Sequence, residues 1–216
     1  MGPLNGIKVL EFSGIGPGPY CGMLLADLGA DVIRLSRVNE KGTHNKFDIH
    51  NRSKRTIVAD LKNPKAIKEI KKLIQEVDVL FEGFRPGVME KLGLSPEECL
   101  KLNKSLVYGR MTGWGQKGPM SSQAGHDINY ISLSGALNAI GDQNSNPSIP
   151  LNLVGDYGGG GMMLAMGILA GVISSSKTGK GQVIDSAMID GSLSLMSFFY
   201  SLKEMGIWKD ERKSNF

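Results

Sequence analysis

A histidine and an aspartate, His126 and Asp156, occupy similar settings, since each follows a glycine and opens a stretch of helical pattern. An imidazole exchanges protons near neutral pH, and a carboxylate can be its partner in acid–base chemistry. Thirty residues separate the two, which is enough for one helix that leads away from the first residue and a loop that returns to it. They could therefore face one substrate carbon from opposite sides and move a proton from one face to the other.

Asp127, directly after His126, allows two interpretations. Aspartate commonly caps helices, and the same ambiguity applies to Asp156. Amides at the helix start beside Asp127 could instead hold the oxygen of a developing enolate. Both interpretations place Asp127 at the end of a helix that reaches the site.

Helical and strand patterns alternate through the first half of the chain and predict an α/β fold. The second half is mainly helical, with helices predicted at about 127–140, 157–175 and 186–205. We therefore expect a Rossmann-like parallel sheet flanked by helices over 1–112, and a helical part over 113–216 that carries the candidate site. The predicted strands are 6–12, 31–35, 55–61, 78–82 and 106–111.

Basic residues follow three successive predicted strands. Arg37 follows the second strand, Ala59–Lys62 ends the third, and Arg85 follows the fourth. Open parallel sheets bind ligands at the carboxyl ends of their strands, so these cations suit a polyphosphorylated ligand such as a nucleotide or coenzyme A. The alternative is that they are scattered surface charges.

The glycine-rich loop after the first strand, Gly14–Gly18, only weakly resembles a dinucleotide-binding loop. Pro17 and Pro19 remove amide donors, and the glycine spacing differs from that motif. A tight turn beneath another ligand is the better interpretation.

Composition excludes several classes. The net charge of +4 comes with no nucleic-acid-reading motif, so no nucleic-acid partner is expected. Cys21 and Cys99 are too far apart for a metal knuckle and are typical of reduced thiols in an intracellular protein. The apolar run 162–174 is interrupted by Gly167 and Gly171 and is too short for a bilayer, so we expect a buried helix.

Short segments along nearly the whole chain resemble the α-methylacyl-CoA racemases of the family III CoA-transferase superfamily. The segments that carry the resemblance are Val9–Gly14, Pro17–Cys21, Ala26–Ala30, Asp60–Lys62, Gly87–Leu92, Gly113–Gln116, Ala124–Tyr130, Pro150–Leu153 and Thr178–Asp185. One departure lies at Arg52-Ser53-Lys54-Arg55, where the family usually has glycine in place of Ser53.

The resemblance implies an isomerase that inverts the carbon beside an acyl-CoA thioester without a metal or redox cofactor, coenzyme A being part of the substrate. His126 would serve one face of that carbon, Asp156 the other, and the backbone near Asp127 would hold the enolate. The implied contacts to the CoA thioester are Arg37, Ala59, Asp60, Leu61, Lys62, Arg85, Gly125, His126, Asp127, Ile128, Asn129 and Tyr130.

Family members continue past the position of Phe216 into a smaller domain, so the resemblance implies the large domain only of the family III CoA-transferase fold. It also implies an interlocked homodimer, branched-chain fatty acid or bile acid substrates, and a peroxisomal or mitochondrial location in eukaryotes or a cytoplasmic one in bacteria. Two alternatives stay open: a CoA-transferase with Asp127 as nucleophile, and an inactive truncated remnant that binds CoA.

Overall fold

A parallel sheet of six strands forms the middle layer of the computed structural model, which describes residues 2–38 and 47–215. The strand order is β3-β2-β1-β4-β5-β6, which confirms the α/β fold expected from the sequence. The strands are β1 Lys8–Phe12, β2 Asp31–Arg37, β3 Lys54–Ala59, β4 Val79–Glu82, β5 Val107–Thr112 and β6 Gln182–Ala187.

Helices cover both faces of this sheet, and its central strands β1, β4 and β5 are buried along nearly their whole length. One core lies beneath α1 and α7 and includes Val9, Leu25 and Ile168. The other lies beneath α2 to α4 and includes Leu10, Ile74 and Tyr108. The helices are α1 Pro17–Asp27, α2 Pro64–Glu76, α3 Val88–Lys91, α4 Pro96–Leu102, α5 Asp127–Leu133, α6 Ala136–Ala139, α7 Met163–Thr178, α8 Met188–Leu195 and α9 Ser197–Glu204.

The second half of the chain differs from the sequence-based expectation in four places. Strand β6 was not predicted, and it pairs with β5 along its whole length. The helix expected over 127–140 is interrupted between α5 and α6, and the one expected over 186–205 begins only at Met188. The helix expected from 157 begins earlier, as a π-helix over Leu153–Met162 that leads into α7.

Helix α7 lies close against the sheet. Glycine is required at two points of this contact, since a Cβ on Gly167 would meet Ile184 at 2.7 Å and one on Gly171 would meet Val107 at 2.7 Å. By length and composition alone, the continuous segment Leu153–Thr178 could cross a bilayer. Its packing against β5 and β6 is instead that of a helix in a layered α/β core, with Leu164 and Ile168 buried.

The strand order creates a crevice at one edge of the sheet. Crossovers from β1 run towards β2 and β3, whereas those after β4 run towards β5 and β6. The loops that leave β1 and β4 therefore diverge, and ligands bind at such a switch point in open parallel sheets. The candidate site lies there.

Candidate functional site

A cavity of about 660 Å³ opens at the carboxyl ends of β1, β2, β4 and β5. His126 and Asp156 both line it, so the structure brings the two candidate acid–base groups to one chamber. The remaining lining residues include Phe12–Pro19, Arg37, Gly83–Pro86, Met111–Trp114, Gly125, Tyr130, Asn152, Tyr157 and Met188.

His126 is exposed on the cavity wall as the residue that precedes α5. Its backbone amide donates to Oδ1 of Asn129 at 2.9 Å, which fixes the peptide at the helix start. The preceding Gly125 has no room for a side chain, because a Cβ there would lie 2.8 Å from the Tyr130 ring and 2.9 Å from Trp114. Tyr130 and Trp114 meet edge to face, so two aromatic rings set the path of the backbone into His126.

Asp156 lies on the π-helix and is half-buried. Burial raises the pKa of its carboxyl, and the nearby charge of Asp127 raises that pKa further. Two neighbours act in the opposite direction: Asn152 donates from Nδ2 to Asp156 Oδ2 at 3.3 Å, and His126 favours the carboxylate electrostatically.

Asp127 is not the helix cap that one of the two sequence-based interpretations expects. It is 6% exposed and does not line the cavity, and the capping position is held by His126. Its Oδ1 accepts the amide of Asp156 at 2.7 Å, and its Oδ2 is enclosed with no hydrogen-bond donor among residues 2–38 and 47–215. A Cβ on Gly155 would lie 2.6 Å from Oδ1, so glycine at that position lets the carboxylate approach the π-helix.

Two arginines face the same cavity at its outer end. The Arg37 guanidinium lies 5.3 Å from the centre of the Phe84 ring, a cation–π contact between the loops after β2 and β4. The loop that carries Phe84 and Arg85 is anchored to the end of β4, because the Phe84 amide donates to the Glu82 carboxylate at 2.6 Å. Glu82 also accepts from Arg110 at 3.1 Å. Arg37 and Arg85 thus place two positive charges at the cavity, where a ligand with several phosphates could bind.

Part of the expected CoA-contact set lies outside the cavity. Ala59, Asp60, Leu61 and Lys62 do not line it, although the sheet register places Ala59 opposite Arg37 at the same edge. Ile128 and Asn129 are likewise absent from its wall, and Asn129 is engaged at the start of α5. Arg37, Arg85, Gly125, His126 and Tyr130 do line it.

The loop after β1 lies at the cavity wall, as expected for a tight turn beneath a ligand. Residues 14–19 line the cavity, and a Cβ on Gly16 would lie 3.6 Å from Asp156 Oδ2. The signal was present in the repeated glycines and prolines, which permit close approach of backbone to a ligand. Trp114, Asn152, Tyr157 and Met188 carried no such signal and enter the site only through the fold.

No cluster of metal-ligand side chains is present in the part of the chain that the structure describes. Within residues 2–38 and 47–215 there is no group of three or more His, Cys, Asp or Glu side chains placed to hold an ion.

Comparison with known proteins gives consistent matches. The family model of CoA-transferase family III matches residues 4–214. Alpha-methylacyl-CoA racemase of Mus musculus is 45% identical over 212 residues, 98% of this chain and 55% of that protein. Succinyl-CoA:glutarate CoA-transferase of Homo sapiens is 34% identical over 208 residues, 90% of this chain and 47% of that protein.

Solved structures agree with the sequence matches. The crystal structure of a CAIB/BAIF family protein from Brucella suis aligns with a TM-score of 0.88 at 29% identity, covering 98% of this chain and 60% of that one. The chain spans about half the length of the curated relatives it matches.

Proposed function

Because the chain belongs to CoA-transferase family III, we propose that it carries the acid–base centre of a racemase acting on 2-methylacyl-CoA thioesters. The observation that carries the proposal is the shared cavity of His126 and Asp156 at the carboxyl edge of the sheet. The 45% identity to a protein named alpha-methylacyl-CoA racemase supports this reaction class.

Inversion proceeds by transfer of one proton off the α-carbon and another onto its opposite face. In one direction neutral His126 removes the proton, and the electron pair of the broken C–H bond moves into the thioester as an enolate. Protonated Asp156 then donates a proton to the other face and becomes a carboxylate. In the reverse direction Asp156 is the base and His126 the acid, so the pair must hold one proton between them.

The environment of Asp156 suits that requirement. Burial and the Asp127 charge raise the pKa of its carboxyl. A raised pKa helps the carboxyl to hold the proton that it donates in one direction, and the carboxylate is the base in the other direction.

Two sets of groups are proposed to bind the substrate. Arg37 and Arg85 suit the phosphates of coenzyme A as paired cations. The amide of Asp127, at the first residue of α5, is the proposed donor to the enolate oxygen. The proposal extends to branched-chain fatty acyl or bile acid intermediates as the acyl group and to a homodimer as the working form.

A CoA-transferase that uses Asp127 as nucleophile fits the geometry less well. Asp127 is only 6% exposed, its Oδ2 is enclosed, and its Oδ1 accepts the Asp156 amide. A mixed anhydride requires a carboxylate open to the substrate, a condition that Asp156 meets and Asp127 does not. The transferase alternative would therefore have to act through Asp156.

The deciding experiment is incubation of each enantiomer of a 2-methylacyl-CoA with the protein in deuterated water, with no acyl acceptor present. A racemase introduces deuterium at the α-carbon and forms the other enantiomer. A transferase leaves the α-hydrogen in place. Acyl-CoA binding by calorimetry without exchange would favour the binding-only alternative and overturn the proposed activity for this chain.

A further inference from the structure

A buried ion pair lies beneath the glycine–proline loop of the cavity. Nζ of Lys54, at the start of β3, lies 2.6 Å from Oε2 of Glu11 in the central strand β1. Both side chains are fully enclosed. The same Nζ donates a hydrogen bond to the carbonyl oxygen of Pro19 at 2.9 Å. One ammonium group thus joins the sheet to the first turn of α1.

Stability alone does not account for this pair. Removing two charges from water is costly, and a well-packed apolar pair of similar size in place of a buried ion pair is often neutral or stabilising. The cost is visible at Glu11, whose pKa is raised to about 7 by burial even though Lys54 lies beside it. The fold also gives up a side chain to make room, since a Cβ on Gly22 would overlap the Glu11 carboxylate.

The loop 14–19, which includes the first three residues of α1, has few side chains that could hold its shape. Five of its six residues are glycine or proline, so it lacks polar side chains that could form internal hydrogen bonds. Its backbone is tied to the helix by the Tyr20 amide, which donates to the Gly16 carbonyl at 3.2 Å. Pro17 and Pro19 also lack the amide hydrogen. A donor from outside the loop is therefore an effective way to fix it, and Lys54 supplies one at Pro19.

The position of this loop matters to Asp156. Gly16 approaches the Asp156 carboxylate closely enough that a Cβ would lie 3.6 Å from Oδ2. The next residue, Pro17, packs on the π-helix that carries Asp156, with its backbone oxygen 2.8 Å from where a Cβ of Gly161 would lie. A shift of the loop would change both the wall around the carboxylate and the support of its helix.

We propose that Lys54, held by Glu11, is a positioning residue that fixes the loop 14–19 against Asp156 through the Pro19 carbonyl. Its catalytic consequence rests on the proposed function, whereas its effect on the loop does not. The role is one of geometry: the ammonium contacts neither substrate nor the reacting carbon. A misplacement of about 1 Å at such a wall can reduce a rate on the order of 100-fold.

The test replaces both charges, since removal of one would change the net charge of the buried group, to which Arg34 of β2 also contributes electrostatically. The variant Glu11→Leu/Lys54→Met is compared with Asp31→Asn/Arg55→Met, which removes the exposed ion pair formed by the next residue of β3. Amide hydrogen–deuterium exchange by mass spectrometry gives a readout that needs no activity. We expect faster exchange in peptides covering 13–25 of the first variant, no change in 106–112, and no change at 13–25 in the second.

The α-proton exchange rate of the first variant should fall by about 10–100-fold, while the dissociation constant for acyl-CoA stays within about threefold of the original value. A folded variant with unchanged protection at 13–25 would overturn the proposal. A variant that does not fold would also overturn it, because the pair would then serve stability. If the unmodified protein shows no α-exchange, the proposed function fails, and the protection of 13–25 still decides the role of Lys54.

Discussion

The backbone amide of Asp156 donates a hydrogen bond to Oδ1 of Asp127 over 2.7 Å, so the two aspartates form one unit. Asp127 fixes the peptide of the residue whose carboxylate faces the cavity. Its negative charge also raises the pKa of the Asp156 carboxyl. These two effects of Asp127, one geometric and one electrostatic, can be separated by substitution.

Asp127→Asn keeps an acceptor for the Asp156 amide and removes the charge. We expect the α-exchange rate to stay within about tenfold of the original, because the hydrogen bond that orients Asp156 is retained. Asp127→Ala leaves that buried amide without an acceptor, at a cost of about 1–3 kcal/mol, and should lower the rate more. Exchange rates measured under identical conditions compare the two variants. Complete loss of α-exchange in Asp127→Asn would indicate that Asp127 itself takes part in the reaction.

The elements that position this unit were only partly predictable. Five strands were expected because each combines an apolar run with flanking turn residues. Strand β6 was missed because Gln182, Asp185 and Ser186 interrupt its apolar pattern. It acquires its strand geometry from pairing with β5 in three dimensions, which the local sequence does not encode.

The site shows the same limit. His126 and Asp156 were identified by residue type and context, and the fold brings them to one cavity. Whether Asp127 points into that cavity depends on Gly155, far along the chain, against which its carboxylate packs. Direction of a side chain at a helix start is decided by such tertiary contacts, so sequence pattern alone could not distinguish a buried carboxylate from an open one.

Single substitutions of the two acid–base groups should give unequal results for the two enantiomers. His126→Ala should abolish inversion in both directions, with acyl-CoA affinity kept within about tenfold, or about 1.4 kcal/mol. Deuterium incorporation should persist for the enantiomer whose α-proton faces Asp156 and be lost for the other. Asp156→Ala should show the opposite preference.

The measurement is mass spectrometry of each enantiomer after incubation in deuterated water, combined with chiral separation of the products. Removal of a general acid or base lowers the rate at its own face by about 100- to 10,000-fold. Equal loss of exchange for both enantiomers in both variants would contradict a mechanism with one group on each face.

Asn152 tunes Asp156, and its loss should move the pH dependence. Its hydrogen bond from Nδ2 favours the carboxylate and so lowers the Asp156 pKa. In Asn152→Ala that pKa should therefore rise. For the enantiomer deprotonated by Asp156, the rate falls as pH decreases through this pKa, so the acidic limb of the rate profile should move to higher pH.

The control is Asn146→Ala, the same change in an exposed loop nearby. Profiles recorded for both enantiomers should show the acidic limb displaced only in Asn152→Ala. A displacement to lower pH would mean that Asn152 favours the protonated acid, contrary to the direction of its hydrogen bond.

Ser53, next to Lys54, adopts a backbone conformation that suits glycine better. Its φ of 59° lies in the left-handed region, which costs a non-glycine residue about 1–2 kcal/mol. Glycine avoids that strain but loses about 0.4–1 kcal/mol through the greater freedom of the unfolded chain. Ser53→Gly should therefore raise the free energy of unfolding by about 0.5–1 kcal/mol.

The matched change is Ser176→Gly on the exposed side of α7, where the backbone is helical and glycine should lower the free energy of unfolding by about 0.5–1 kcal/mol. Urea unfolding followed by circular dichroism measures both. The positive φ at Ser53 is the physical reason to expect glycine at this position. A decrease in stability for Ser53→Gly would show instead that the serine side chain compensates for the strain.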